Sequence, residues 1–398
     1  MITSVLPRGR GGRELAAIVA TASLASVTIS LAVPLLSLVL HAHGIDSFTI
    51  GLNSAASALG SLAILPFADG LARRFGALAA MRAALLIAAA VLLLFPLAVD
   101  LVLWAFWRVL LGAVGSVLFV LSEAAINALA PPASRGRVLA LYATAFSLGY
   151  ALGPLLLAVV GSEGPLPFVL ASLFLVFAAV PLRWAPDIDG LLVAPGEPGD
   201  RPRARMLFHR AALSLMGVFV YAALEAGFFA LLPVYLVAIG ETESRAGLLL
   251  SLWIAGNLLL QLPIGWLADR LGAQRTLGLC AGLSLLALVA LDGAARSGPL
   301  IWPLLLVGGG TMGALYTLSL ALLGERFAPR ELVRANASFV AAFQFGLLLG
   351  PVAVGASMHG LGAETFGWTL ALLCGALLFG AVVARARPGL ARGGGRAA

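Results

Sequence analysis

Lysine is absent from the 398-residue chain, and all 25 basic residues are arginine. Charge of either sign is scarce: 11% of residues are charged and 61% are hydrophobic. A soluble protein carries about 25% charged and about 45–50% apolar residues, so this chain has too little polar surface to dissolve in water. That excludes a cytosolic enzyme, a secreted domain and a disordered regulator. No polar stretch is long enough to form a large soluble domain on a single anchor. Cysteine is nearly missing too. Cys280 and Cys374 both lie in apolar runs without metal-ligand spacing, so neither a disulfide framework nor a metal site is supported. No P-loop is present, which argues against an ATP-driven pump. The net charge of +7 would suit a nucleic-acid partner, but the exclusive use of arginine points to high-GC coding rather than to phosphate contacts. No nucleic-acid partner is expected.

What the chain has in abundance is long apolar runs. Ten carry no formal charge: Leu15–Leu40, Ile50–Ala68, Ala83–Val99, Val138–Ser162, Gly164–Leu182, Ala246–Ala268, Thr276–Leu291, Ser297–Gly324, Ala335–Ala363 and Thr365–Ala384. Two more, Leu101–Ala130 and Ala211–Gly240, are interrupted only by Arg108, Glu123 and Glu225. A membrane-spanning helix needs roughly 20 apolar residues, so the pattern predicts twelve spans. They must be helices, because hydrocarbon offers the backbone no outside hydrogen-bond partner and the runs are too long and continuous for barrel strands. The first run is also too long for the h-region of a cleaved leader, about 7–15 residues, and reads as a retained helix. The expected fold is all-α and integral to the membrane.

Arginine placement orients the spans. With the N-terminus in the cytoplasm, 22 of the 25 arginines fall on the cytoplasmic side; Arg245 and Arg296 fall outside and Arg108 lies within a span. Both termini are then cytoplasmic. The one long polar connection, rich in Pro, Gly, Asp and Arg, divides the chain into an N-terminal bundle (1–183), a linker (184–210) and a C-terminal bundle (211–398). The halves repeat at an offset of 197. Pro66 matches Pro263, Pro132 matches Pro329, Arg137 matches Arg334, Phe146 matches Phe343, Gly149 matches Gly346, and Gly153-Pro154 matches Gly350-Pro351. An internal repeat of this kind is how many secondary transporters build alternating access.

Three segments resemble those of a known family. Gly265-Trp-Leu-Ala-Asp269-Arg270-Leu-Gly272, followed by Arg275, is similar to the loop between the second and third helices of major facilitator superfamily transporters. Trp107-Arg108 with Gly112 and Gly115 resembles the family's motif on the fourth helix, and Gly149-Tyr-Ala-Leu-Gly153-Pro154 resembles the core of the motif associated with antiporters. The resemblance covers nearly the whole chain. It implies the major facilitator fold, two pseudo-symmetric six-helix bundles, with helices one, four, seven and ten lining a central cavity. It also implies a cytoplasmic gate. There, Gly265 and Gly272 are expected to permit close helix approach, and Asp269 and Arg270 to latch onto the neighbouring half. The N-terminal copy departs from the pattern, with Arg73 where the Asp belongs and Asp69 where the first Gly belongs. The antiporter-like motif departs as well, with Leu157-Ala158 in place of a Gly pair.

Charges inside spans are costly and point to function. Glu225 lies near the middle of the seventh run, with Tyr221, Phe228 and Phe229 one turn away on the same face. A carboxyl in such surroundings can load and release a proton, or attract a cationic substrate with the rings adding cation–π contacts. A purely structural protonated Glu is the alternative. Arg108 and Glu123 lie about 22 Å apart along one helix and cannot pair directly. By resemblance Arg108 takes part in proton transfer or holds a carboxylate, and Glu123 either serves the cavity or pairs with Arg135 or Arg137. Among uncharged groups, Thr28 (which matches Glu225 at the repeat offset), Asn257, Gln261 and Gln344 are candidate cavity residues, although polar side chains also join helices.

The expectation is therefore a monomeric secondary transporter in a bacterial inner membrane, not an enzyme, exporting a small amphipathic or cationic organic compound in exchange for protons. Glu225, Glu123 and Arg108 would carry the coupling, with no cofactor and the proton gradient as the energy source. Proton-symport uptake, lipid translocation and a transport-dead sensor are the alternatives. A membrane enzyme would need a nucleophile–base pair or clustered metal ligands in the spans, and neither is found.

Overall fold

A computed structural model describes residues 10–130, 135–185, 204–327 and 329–386. The described chain is helical from end to end: α1 (Arg10–Ala42), α2 (Ser47–Ile64), α3 (Ala68–Phe75), α4 (Ala77–Leu94), α5 (Leu101–Leu129), α6 (Arg135–Val160), α7 (Leu166–Ala179), α8 (Ala204–Ala238), α9 (Glu243–Leu271), α10 (Ala273–Ser297), α11 (Ile301–Arg326), α12 (Pro329–Leu361) and α13 (Thr365–Ala386). Among the described residues, twelve helical segments are long and apolar enough to cross a membrane, one for each run in the sequence. The protein is a multi-pass membrane protein.

The thirteenth α-element has a local cause. In the first repeat a 3-10 turn at Leu65–Phe67, carrying Pro66, separates α2 from the short α3. In the second repeat Pro263 sits inside the continuous α9. Proline removes a donor and crowds the preceding turn, so it bends or breaks a helix according to what packs around it. The residues read as a linker are described only at their edges. Trp184 and Ala185 end a 3-10 turn, and α8 already begins at Ala204, while 186–203 lie outside the described residues.

The helices gather into two compact units. Unit 1 holds Met1–Ile45, Ala56–Glu197 and Thr242–Ser251; unit 2 holds Asp46–Ala55, Pro198–Glu241 and Leu252–Ala398. Inside unit 1, α1 packs on α5, α6 and α7, and α4 packs on α5 and α7. Inside unit 2, α8 packs on α11, α12 and α13, and α10 packs on α11 and α13. The two lists are the same under the repeat. Unit 1 is stitched by hydroxyls: Thr21 Oγ1 donates to the Ala178 carbonyl (2.9 Å), Ser26 Oγ to Phe146 (2.9 Å) and Ser172 Oγ to Ala89 (3.0 Å). In hydrocarbon the alternative to such a bond is an unsatisfied polar group. Large apolar side chains also stand outward, among them Leu262 (83% exposed) and Val159 (80%). In water these would be an aggregation hazard; on a spanning helix they face lipid.

Candidate transport site

Of the charges within spans, Arg108 is enclosed most completely. It is 1% exposed on α5, one turn beyond Trp104, whose indole donates to the Ala98 carbonyl (2.9 Å) and packs edge-on against Phe95. Asp100 caps this helix, its Oδ1 accepting from the backbone N–H groups of Val102 and Leu103. Glu123, about four turns further along the same helix, is exposed, and Asn127 one turn on donates to its backbone carbonyl (3.0 Å). Among the described side chains no ion pair joins Glu123 to Arg137, and the side chain of Arg135 lies outside the description.

Glu225 lies at the middle of α8, half-buried, and Tyr221 one turn before it donates a hydrogen bond to its carboxyl group. The Tyr221 ring in turn packs against Tyr316 (centroids 5.4 Å apart) and Phe343 (6.2 Å). The two phenylalanines grouped with Glu225 by spacing are elsewhere. Phe228 is 0% exposed, stacked on Trp253 at 4.9 Å and edge-on to Phe366 at 5.5 Å, and Phe229 is buried against Trp253 edge-on at 6.0 Å. Both are buried in the interior of unit 2. Residues at i+3 and i+4 share a face only loosely, and here the face turns from Tyr221 toward the core within one turn.

The uncharged candidates separate in the same way. Thr28 is a packing residue: its Oγ1 donates to the Ala171 carbonyl of α7 at 2.8 Å and is buried there. Asn257 is half-buried against α11, where a side chain at Gly313 would collide with its amide, while Gln261 is exposed. Gln344 is buried on α12 with its Oε1 unpartnered among the described residues.

Among the described residues, the expected latch glycines have open space around them. Nothing lies within 4 Å of a Cβ built on Gly265 or Gly272. Gly272 instead has φ 87° and ψ 146° and turns the chain from α9 into α10; Gly76 does the same between α3 and α4 with φ 85° and ψ 142°. That backbone region is open essentially to glycine alone. Arg270 lies over the ring of Trp266 on its own helix at 3.6 Å, and Asp269 and Arg73 are exposed; the side chain of Asp69 lies outside the description.

The close approach is made by the antiporter-like motif. A Cβ on Gly149 would overlap the Ser23 carbonyl, and one on Gly153 would overlap Leu31 N and the Val27 carbonyl, so α6 lies backbone to backbone on α1. Gly346 and Gly350 do the same for α12 on α8. The Pro154 carbonyl then meets Gly247 of α9 inside unit 1, and the Pro351 carbonyl meets Gly51 of α2 inside unit 2.

The start of α2 is held in unit 2 by charge as well. Asp46 caps the helix, Oδ1 accepting from Thr49 N (3.0 Å) and Oδ2 from Thr49 Oγ1 (2.7 Å), and His359 Nδ1 stands 3.5 Å from Oδ1. Burial pushes the Asp46 carboxyl up, but the Thr49 bonds and the nearby His359 outweigh it and hold it below the usual value. A lowered folded-state pKa stabilises above the unfolded value, about 3.9, and the benefit is lost as pH falls through the folded one. Asp46→Asn keeps a good cap and removes the charge. Thermal midpoints of wild type and Asp46→Asn are expected to differ at pH 6 and to converge only as the pH falls through the lowered folded-state value. The gap will be small, as exposed pairs contribute about 0–1 kcal/mol.

Sequence reasoning missed Ser122 and Tyr142, whose buried hydroxyls lack partners among the described residues. The repeat offset was the available signal, since it pairs Ser122 with Ser319 and Tyr142 with Phe339.

A family model described as Major Facilitator Superfamily matches residues 18–243 and 215–397. The chain belongs to the major facilitator superfamily. An uncharacterised MFS-type transporter of Bacillus subtilis (strain 168), YfkF, is 23% identical over 341 residues, covering 84% of this chain and 85% of that protein. The crystal structure of a point mutant of the nucleoside transporter NupG matches with a TM-score of 0.74 at 12% identity, covering 93% of this chain and 99% of NupG. A bacterial homologue of the human lysosomal transporter Spinster, inward-facing and unoccupied, matches with a TM-score of 0.72 at 14% identity over 97% of each chain. These structural likenesses establish the major facilitator fold, with its two pseudo-symmetric six-helix bundles.

Proposed function

We propose that this major facilitator protein is a proton-coupled exporter of a small amphipathic or cationic organic compound, working by alternating access. It acts as a monomer in a bacterial inner membrane, with both termini and the linker between its halves in the cytoplasm. No cofactor is required, and the proton gradient supplies the energy. The arginine distribution supports the orientation, and family membership supports the transport role. NupG is a nucleoside transporter, and the fold alone does not fix the cargo.

One observation carries the coupling assignment. Glu225 sits at mid-span, bonded to the neutral phenol of Tyr221, and among the described residues no ion pair reaches it. A carboxyl without a fixed cation can alternate between protonated and ionised forms without breaking a salt bridge. Proton binding on one side and release on the other would then be exchanged against cargo. Arg108, buried on α5, supplies fixed positive charge, and Glu123 is a secondary acidic group.

The experiment is flux in proteoliposomes under an imposed pH jump, screening a mixed compound library. Glu225→Gln is expected to lower gradient-driven flux at least about tenfold. Flux that needs no gradient and survives the substitution would make Glu225 structural and the protein a facilitator.

A further inference from the structure

We propose that α3 is an interfacial helix that docks on anionic phospholipid headgroups, with Arg73 and Arg74 at the phosphates and Phe67, Leu71 and Phe75 in the acyl boundary beneath them. The partner is the membrane surface, and the inference is independent of cargo and of proton coupling.

The place of α3 in the chain confines it to that surface. The spans on either side cover Ser47–Phe67 and Ala77–Leu97, so Ala68–Phe75 is the link between them. At 8 residues it cannot cross a bilayer, which needs roughly 20. In the second repeat the span runs unbroken over Glu243–Leu271 and takes in the equivalent segment. The 3-10 turn at Leu65–Phe67, with Pro66, frees α3 from the axis of α2 in a way that α9 lacks.

The sides of α3 differ in character. Ala68 is buried where the helix packs on α4 and α5. Phe67 and Phe75 are 61% and 62% exposed, with the half-buried Leu71 between them at i+4 spacing. Arg73 and Arg74 are exposed, and the Arg74 guanidinium lies 5.4 Å from the centre of the Phe75 ring. Among the described residues no ion pair holds either arginine. Exposed rings edged by arginine are what a helix lying in the headgroup layer presents, the stems and rings meeting acyl chains while the charges stay at the phosphates.

A second basic–aromatic pair marks the same level of unit 1. Near the start of α4, Arg82 Nη2 donates to the Leu182 carbonyl (3.1 Å) at the end of the span Leu166–Trp184. Beside it Arg183 lies over the exposed Trp184 ring at 4.2 Å. Tryptophan gathers at membrane–water interfaces.

The departure of this segment from the family pattern then has a physical cause. With Gly76 set against Gly272, Arg73 stands where the second repeat has Asp269. An anionic leaflet repels a carboxylate, whereas each arginine near it strengthens attraction about fivefold. Asp69 offsets one of the two arginines of α3, so the net preference is that of about one.

The test places a fluorophore on Gly70→Cys, an exposed site with nothing within 4 Å of its Cβ, in full-length protein carrying Cys280→Ala and Cys374→Ala. Phosphatidylcholine nanodiscs contain a small share of lipid with a nitroxide near the head of its acyl chain, as phosphatidylglycerol or as phosphatidylcholine. The ratio of the two quenching curves is the lipid preference at α3. Both lipids are expected to quench, with a ratio of about five in favour of phosphatidylglycerol. The ratio should fall below about two in the double variant Arg73→Gln/Arg74→Gln. It should fall likewise in about 1 M salt, where the screening length is about 3 Å. Both arginines are exposed, so the thermal midpoint of the double variant should hold. A label on Gly324→Cys, equally open near the end of α11, reports another part of the surface, and there the double variant should leave the ratio unchanged. Absence of quenching at Gly70 would put α3 in water and overturn the proposal. Equal response to the two lipids, or a preference that survives loss of both arginines, would overturn it as well. Millimolar inorganic phosphate should leave the ratio as it is; if it erases the preference, the arginines form a site for free phosphate and the lipid surface is refuted. None of these readouts involves transport, so they stand whatever becomes of Glu225.

Discussion

Gly153→Ala and Gly350→Ala are expected to lower the thermal midpoint of the purified protein by roughly 5 °C or more, and the leucine variants to yield no folded protein. In a helix interior Gly→Ala is ordinarily favourable by about 0.5–1 kcal/mol, because alanine has less backbone freedom to lose. The sign reverses here because the obstacle is main chain. A Cβ on Gly153 meets Leu31 N and the Val27 carbonyl at 2.6 Å, and one on Gly350 meets the Ala223 Cα at 2.6 Å and its carbonyl. A rotamer change cannot relieve a backbone clash, so α6 must lift from α1, or α12 from α8. Overpacking costs about 1–3 kcal/mol even where side chains can yield. Gly265→Ala and Gly360→Ala supply the control, since nothing lies within 4 Å of either Cβ. Their midpoints should stay level or rise. Equal behaviour of all four alanine variants in a thermal-shift series would refute the packing role of the motif.

The same contrast shows how much the sequence disclosed. Twelve uncharged or nearly uncharged runs had one physical solution, and every one is a helix long enough to span. The repeat was legible because proline and glycine positions are held by backbone geometry, which both halves share. What each glycine does was not legible. Gly272 and Gly153 look alike in a motif, but one occupies a backbone region closed to other residues and the other clears space for a helix. Distinguishing them needs φ at one position and a neighbour at the other, and neither is written in spacing. The candidate site divides similarly. That Glu225 and Arg108 lie in spans follows from hydropathy, whereas the inward or outward direction of Thr28 and Phe228 depends on which helices flank them.

Phe228→Ala carries the second large effect, and it separates a core role from a cargo-binding one. The ring is fully enclosed, with Trp253 stacked on one face and Phe366 at its edge. Truncation leaves a cavity that neighbouring helices can only partly close, and Phe→Ala in cores costs about 3–5 kcal/mol. In a bilayer the transfer part of that cost shrinks, since lipid tails are as apolar as the interior. The lost dispersion contacts remain, so about 3 kcal/mol is expected, at the lower end of the range. Trp253 also loses its stacking partner while its Nε1 stays bonded to Met312 Sδ (3.4 Å), so the disturbance should spread toward α11. The expected result is a clearly lowered midpoint with an unchanged ranking of transported compounds. Phe228→Leu, which restores most of the volume, should recover most of the stability. A shifted compound ranking in Phe228→Ala at an unaltered midpoint would return Phe228 to the cavity wall and remove it from the core.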